Sequence, residues 1–430
     1  MDNHGKPRVA RTTRTEEQRL QELDKINKYK QLEDAIRVQV ASGTYTPALF
    51  ESTSKLLRLN PEYYTIWNVR RRCLTSGWLS RPSDGLWLSR ASPSTSQSAT
   101  MRPSSDDSSS SSSAATRPDP RSPTTGKNGT TVEGSDGRKQ QEMTPSALHQ
   151  PGQDQTDEPR SDTATETEYV RILQSELAFT IPLLLKYPKC YWIWKYRKWV
   201  LEQAILLLSA STAGKIWNAE LGLASKMLSK DKRNFHAWGY RRYVVARLES
   251  PELLAKSLAE DEFAYTDQKI KEDLSNFSAW HNRSRLMLRV LDERQADASA
   301  RVAFLEEELA LVQEALNVGP EDQSLWYYHS YMISQIVGCT GRPTIVPELS
   351  NDSKITYLTD EIEFMKDLLT DFDDVKWIYQ SLLECSIALR RLDCGTDQSP
   401  QEDPRSWLAQ LRKLDPMHKG RWDDLARQLE

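Results

Sequence analysis

The chain of 430 residues lacks most of the marks of a self-sufficient enzyme. It has no glycine-rich phosphate loop, no H-E-x-x-H and no G-x-S-x-G, so nucleotide, zinc-protease and serine-hydrolase chemistries have no local signature. Only five cysteines occur, at 73, 190, 339, 385 and 394, with no C-x-x-C among them. An odd, scattered set fits reduced thiols better than a disulfide framework or a structural zinc site. The six histidines (4, 149, 236, 281, 329 and 418) stand far apart. With a formal charge of only −4, no basic field points to nucleic acid. Apolar runs such as "AILLLSA" at 204–210 fall well short of the ~18 residues that a membrane span needs. The N-terminus has no apolar signal core, and the final "RQLE" is no prenylation box. These absences predict a soluble cytoplasmic protein without a transmembrane segment.

Tryptophan, by contrast, is plentiful, with 13 copies, and five of them fall into register. When the chain is aligned on Trp67, Trp194, Trp238, Trp280 and Trp326, the residue three before is Tyr64, Tyr191, Phe235, Phe277 or Gln323. Three after comes Arg70, Arg197, Arg241, Arg283 or His329. Ten before lies Leu57, Leu184, Leu228, Ile270 or Leu316, and seventeen before lies Phe50, Leu177, Leu221, Phe263 or Leu309, apolar each time. In the last four copies an acid precedes that position: Glu176, Glu220, Glu262 and Glu308. From the second to the fifth tryptophan the intervals are 44, 42 and 46 residues, and a weaker sixth copy centres on Trp377. A period in the forties predicts an all-α superhelix, a solenoid of helical hairpins.

Each unit reads as two helices. The first carries the apolar positions −17 and −10, two turns apart. A polar turn follows ("NPE", "YPK", "DKRN", "LSN" or "GPED"), and the second helix then buries the tryptophan. Positions −3, 0 and +3 are expected on one stripe. The arginine is expected to lay its stem on the tryptophan and to neutralise acids or carbonyls of the adjacent hairpin. Lys189, Tyr191 and His236 fall at the turn or first turn of consecutive second helices. Stacked hairpins would bring them to one rim, where helix N-termini favour anions. On spacing alone, solvent-facing turn residues are the more ordinary reading.

The first interval, Trp67 to Trp194, is 127 residues because a stretch of different composition intervenes. From 80 to 165 about a third of the residues are Ser or Thr, with the low-complexity run "SSDDSSSSSS" at 104–113. With so few large apolar side chains it is expected to be a disordered insertion, or a stretch of translated intron. "GWLSRPSDGLWL" at 77–88 is a small exception, with two tryptophans and no helical period. The expected divisions are a flexible tail at 1–15, a first hairpin at 16–79, the insertion at 80–165, further repeats at 166–395 and a helical cap at 396–430.

Tandem hairpins carrying N-[FY]-x-x-W-x-x-R[RK] resemble the protein prenyltransferase α-subunit family. The motif is carried by "NPEYYTIWNVRR", "YPKCYWIWKYRK", "DKRNFHAWGYRR" and "DLSNFSAWHNRS", and the likeness covers about residues 16–79 and 166–395. Within the family, "NFHAWGYRRYV", "AYTDQKIKEDLSNFSAWHNRS" and "HGKPR…TEEQ" are similar to the Rab geranylgeranyltransferase (type II) branch. The subunit shared by farnesyltransferase and geranylgeranyltransferase I usually has Tyr at the place of Phe235 and His-Arg at the place of Tyr240–Arg241. The additional immunoglobulin-like and leucine-rich modules of animal type II subunits are not in this chain, as in a compact, fungal-like version.

That resemblance implies a crescent of paired helices wrapped around a β subunit in an obligate heterodimer inactive without that partner. It places the catalytic Zn2+ and the isoprenoid pocket in the β subunit. The heterodimer would move geranylgeranyl from its diphosphate to C-terminal cysteines of Rab GTPases that an escort protein presents. Zinc there would lower the pKa of the acceptor thiol, whose thiolate attacks C1 of the isoprenoid as diphosphate leaves. By position, Lys189, Tyr191 and His236 match family residues facing the diphosphate, with a role in binding and leaving-group stabilisation. Trp67, Trp194, Trp238, Trp280 and Trp326, with Arg70, Arg197, Arg241 and Arg283, carry the repeat structure. His4-Gly5 resembles the N-terminal His-Gly of type II subunits, displaced by Asp2-Asn3; a regulatory contact with the β-subunit metal and a free tail are both open. The alternative within the family is the α subunit shared by the two C-a-a-X enzymes; outside it stands a tetratricopeptide-like adaptor, whose shorter period fits less well.

Overall fold

The computed structural model describes residues 15–80, 160–253, 255–338, 341–392 and 404–429. His4, His149, Trp87, Cys339, Cys394 and most of the stretch read as an insertion lie outside the described residues. Among the described residues there are fifteen α-helices and no strand. Helix α1 (Glu16–Ala41) packs on the first of six hairpins: α2 (Pro47–Leu59) with α3 (Tyr64–Ser76), then α4 (Arg160–Lys186) with α5 (Tyr191–Leu207). Next come α6 (Ala210–Lys230) with α7 (Phe235–Leu248) and α8 (Ala259–Glu272) with α9 (Phe277–Glu293). The series ends with α10 (Ala298–Val318) and α11 (Gln323–Val337), then α12 (Asn351–Asp371) and α13 (Lys376–Leu392). A short pair, α14 (Pro404–Leu414) and α15 (Lys419–Leu429), packs on α13 at the C-terminal end. Helix α4 opens at Arg160, inside the stretch whose composition reads as insertion.

The helices start where side chains can satisfy orphaned amides. Thr15, Thr46, Asn234, Asn276, Asp297, Asp322 and Ser350 each accept a first-turn backbone N–H, which stabilises each start by roughly 1 kcal/mol. Position −10 is fully buried in all five units, and every register tryptophan is at most 3% exposed. Each indole also has a fixed polar role. Its Nε1 donates to the carbonyl six residues earlier: Trp67 to Pro61 at 2.8 Å, Trp194 to Pro188 at 2.9 Å, Trp238 to Lys232 at 2.9 Å, Trp280 to Leu274 at 2.7 Å and Trp326 to Pro320 at 2.6 Å. The tryptophan thus fills the core and closes the turn of its own hairpin.

Successive hairpins are joined by buried ion pairs. Arg70 forks onto Glu176 at 2.6 and 2.7 Å, and Arg197 onto Glu220 at 3.0 and 2.5 Å. Arg241 holds Glu262 at 2.9 and 2.5 Å, and Arg283 holds Glu308 at 2.9 and 2.5 Å. In each case the acid at −18 belongs to the next unit. The same guanidinium donates back to its own first helix, to Thr53 and Ser54 from Arg70, Thr180 from Arg197, Ser225 from Arg241 and Thr266 from Arg283. A tyrosine two residues after the tryptophan completes three of the carboxylates: Tyr196 on Glu176, Tyr240 on Glu220 and Tyr328 on Glu308. The fourth unit has Asn282 there, and burial pushes the Glu262 carboxyl up against the opposing pull of Arg241.

The guanidinium groups lie over aromatics of the first helices: Arg70 over Phe50 (3.8 Å) and Phe179 (4.2 Å), Arg241 over Tyr265 (3.4 Å) and Arg283 over Phe263 (3.9 Å). One expectation changes. In the sixth unit the tryptophan position is taken by Tyr379, not Trp377. Tyr379 is buried and its hydroxyl donates to the Asp373 carbonyl six residues back, at 2.8 Å. From Tyr379, eighteen residues back leads to Glu361, which pairs with the buried His329 at 2.8 Å. Trp377 sits two residues earlier, beside Tyr327 at the edge.

Trp238→Ala should cost about 3–5 kcal/mol through cavity formation, read as a lowered chemical-denaturation midpoint. Arg241→Met should cost a similar ~3–5 kcal/mol by stranding Glu262, whereas Arg241→Met with Glu262→Met should recover most of that loss. A double variant as unstable as the sum of its singles would deny the pair its coupling.

Candidate functional site

The turns and the first residues of the second helices form one edge of the stack. Its backbone is fixed by shared carbonyls. The Pro188 carbonyl that accepts from Trp194 also accepts from Asn234 Nδ2 of the next hairpin at 3.1 Å. Lys232 serves Trp238 and Asn276 Nδ2 in the same way, also at 3.1 Å. Cys190, at the corresponding place in the second hairpin, turns its thiol to the Pro61 carbonyl at 3.5 Å. Burial pushes this thiol up to about 11, so it is a packing group rather than a nucleophile.

Position −3 is the first residue of each second helix and points away from the core, contrary to the single stripe expected. Tyr64, Tyr191, Phe235 and Phe277 are all at least half exposed, while the tryptophans three residues on are buried. Three residues turn a helix through 300°, so position −3 sits to one side of the tryptophan, at the rim. The rings meet their neighbours along the edge: Tyr64 with Trp192 at 5.1 Å, Tyr191 with His236 at 6.4 Å, Phe235 with His236 at 4.0 Å and Phe277 with Tyr327 at 6.0 Å.

Lys189, Tyr191 and His236 lie together on this edge. Lys189 is mostly exposed, its Nζ 3.8 Å from Asp231 Oδ2 at the end of α6, a loose pair that leaves donors free. Lys195, one turn beyond Tyr191, reaches to 5.8 Å from its ring and 5.5 Å from that of Trp192. Burial holds His236 below the ordinary histidine range; Glu62 opposes that shift and Lys189 adds to it. The imidazole is therefore neutral at pH 7 and offers an N–H donor rather than a full charge. Helix α5 starts without a side-chain cap hydrogen bond. Two cations, a phenol and an imidazole make a place suited to an oxyanion.

Periodicity alone did not single out Lys195, Trp192, Glu62 or Asp231. Trp192 and Lys195 sit in the quoted "YPKCYWIWKYRK" but outside the repeated positions, so register offered no signal for them. Among the described residues no group of His, Cys, Asp and Glu side chains could hold a metal ion. None of the described helices is long and apolar enough to cross a membrane.

The architecture and its locks define a class. The protein prenyltransferase alpha subunit repeat matches at residues 47–77, 173–204, 217–248, 259–290 and 305–336, the five tryptophan-centred hairpins. The sixth hairpin, with tyrosine in place of tryptophan, lies outside these matches. The chain belongs to the protein prenyltransferase α-subunit family. Its relatives include the geranylgeranyl transferase type-2 subunit alpha of Candida albicans, 27% identical over 98% of this chain and 96% of that protein. The subunit of the same name from Saccharomyces cerevisiae is 32% identical over 62% of this chain and 76% of that protein. The Schizosaccharomyces pombe subunit is 34% identical over 49% and 61%. Among solved structures, Candida albicans protein geranylgeranyltransferase-I complexed with GGPP shares the fold, with a TM-score of 0.52 at 16% identity, over 100% of this chain and 96% of that one.

An anion between Lys189 and His236 would raise the proton affinity of the ring, so binding takes up a proton. Inorganic pyrophosphate should therefore bind more tightly as pH falls from about 8 to about 6. His236→Gln should lose the part of that dependence due to the ring. Identical pH profiles for the two proteins would place His236 outside the anion site.

Proposed function

We propose that this chain is the α subunit of a heterodimeric Rab geranylgeranyltransferase. The enzyme transfers geranylgeranyl from its diphosphate to C-terminal cysteines of Rab GTPases held by an escort protein, in the cytoplasm. The observation that carries the reading is the rim of Lys189, Tyr191 and His236 on a scaffold whose named relatives are type-2 geranylgeranyl transferase α subunits. In this reading the Zn2+ implied by the family resemblance belongs to the β subunit. The chain on its own is inactive in this reading.

In the reaction the acceptor sulfur forms a bond to C1 of the isoprenoid, and the C1–oxygen bond breaks with its electron pair leaving on the diphosphate. The part of this chain is to hold that leaving charge. Lys189 supplies a mobile ammonium, which exchanges its loose contact with Asp231 for the diphosphate oxygens. Tyr191 supplies an O–H donor and His236 an N–H donor, both in place before the charge develops. Donors fixed ahead of the transition state are worth most where water is excluded, and the exposed aromatics along the edge provide apolar cover for it.

Lys189→Ala should slow single-turnover transfer by roughly 10- to 1,000-fold while leaving assembly with the β subunit intact. An unchanged rate would remove Lys189 from the reaction. Co-expression with candidate β subunits tests the wider reading. Prenylation of a Rab that requires the escort protein supports it, whereas escort-independent activity on a C-a-a-X peptide would assign the chain to the shared subunit instead.

A further inference from the structure

The arginine doublets split between two environments. Arg71, Lys198 and Arg242 directly follow the buried Arg70, Arg197 and Arg241, and Arg285 stands two residues beyond Arg283. Each step of one residue turns the helix by 100°, so the second cation leaves the core. Arg71, Lys198 and Arg242 lie seven residues after the exposed Tyr64, Tyr191 and Phe235, which is the same helix face two turns further along. Arg285, eight after Phe277, stays near that line.

None of these four is ion-paired among the described residues. Arg71 reaches only Asn68 Oδ1 and the Lys195 carbonyl, both at 3.4 Å, and its Nε is buried without a partner. It lies 5.4 Å over the Trp199 ring, and Lys198 Nζ lies 4.3 Å over the Tyr243 ring, each leaning on the next second helix. The carboxylates of this helix layer are engaged elsewhere: Glu202 by Arg247 and Tyr243, Glu249 by Arg289 and Glu293 by Arg289 and Ser257. The cations instead oppose one another. Burial and then Arg242 disfavour the charge on Lys198, and burial and then Arg285 disfavour that on Arg242. His281 is held low by burial, Arg242 and Arg285. In a chain of net charge −4, four half-buried or exposed cations without acids are a local cost to the free chain.

We infer that the row Arg71, Lys198, Arg242 and Arg285, below the aromatic edge, is a docking surface for the partner subunit, and that the partner presents a complementary row of carboxylates. The inference rests on the heterodimer reading above. Size separates it from the anion rim. Neighbouring helices pack about 8–10 Å apart, so one cation on each of four second helices spans roughly 25–30 Å, far longer than a diphosphate. A folded protein surface matches that length, and its acids would complete cations that the free chain leaves unpaired, with the exposed rings supplying apolar contact beside them.

The test uses the full chain co-expressed with a type-2 β subunit. Lys198→Gln/Arg242→Gln/Arg285→Gln should raise the heterodimer Kd by roughly tenfold at physiological salt and flatten its salt dependence. The free variant should melt no lower than wild type, because repulsion has been relieved. Lys55→Gln/Lys226→Gln/Lys230→Gln, on the first helices, should assemble as wild type does. Equal assembly and salt dependence of the first triple variant and wild type overturns the inference alone. Unchanged assembly with weakened geranylgeranyl diphosphate binding overturns it too, and gives the row to the lipid diphosphate. Failure of the wild-type chain to join any β subunit overturns the heterodimer reading and the inference with it.

Discussion

The structure depends on one repeated contact, a buried guanidinium gripping two hairpins at once. Removing an arginine and a glutamate from water costs several kcal/mol per ion, and their attraction offsets this only with good geometry. Here the geometry is forked, and the remaining donors go to Thr or Ser of the preceding helix. Such a pair adds little net stability over a well-packed apolar substitute. What it does specify is register: the carboxylate at −18 can be satisfied only when the next hairpin stacks at one height and rotation. A solenoid buries its core against neighbours alone, so an error in one interface would pass to the rest. The ion pairs prevent that.

The edge follows from the same register. Once each interface is fixed, the shared turn carbonyls line up, and the caps of one unit find the turn of the previous one. Residues that belong to different hairpins, such as Tyr191 and His236, are then held at fixed separations without contacts designed for them. A rim built on helix starts is more rigid than one built on long loops.

Much of the fold was legible because burial has a period. Positions −10 and 0 are apolar in every unit and buried in every unit. The locks were less legible, since Arg70 and Glu176 are 106 residues apart and their pairing crosses units. The acids at −18 stood out as a pattern, but their phenol partners at +2 did not, because Val69 and Asn282 interrupt the series. The sixth unit departs from the tryptophan register for a chemical reason. The indole of Trp377 is the stronger sequence mark, whereas the turn carbonyl needs only a long aromatic donor, which Tyr379 supplies. At the rim, Lys189, Tyr191 and His236 were reachable by spacing, but the supporting Glu62, Asp231 and Lys195 were not, since the residue type at their positions in the motif changes from unit to unit.

The arginine doublet also explains why the motif carries two cations rather than one. The first sits where, in four units, a five-donor planar group bridges two helices, while His329 in the fifth makes the pair to the next hairpin with one ring nitrogen. The second tolerates lysine, as at Lys198, and even a shift by one residue, as at Arg285. That latitude is what a diffuse electrostatic surface requires, because a row of charges needs sign and spacing rather than forked geometry. One dipeptide thus serves two interfaces: a specific one between hairpins, complete within the chain, and a permissive one on the outside whose charge the free chain leaves uncompensated.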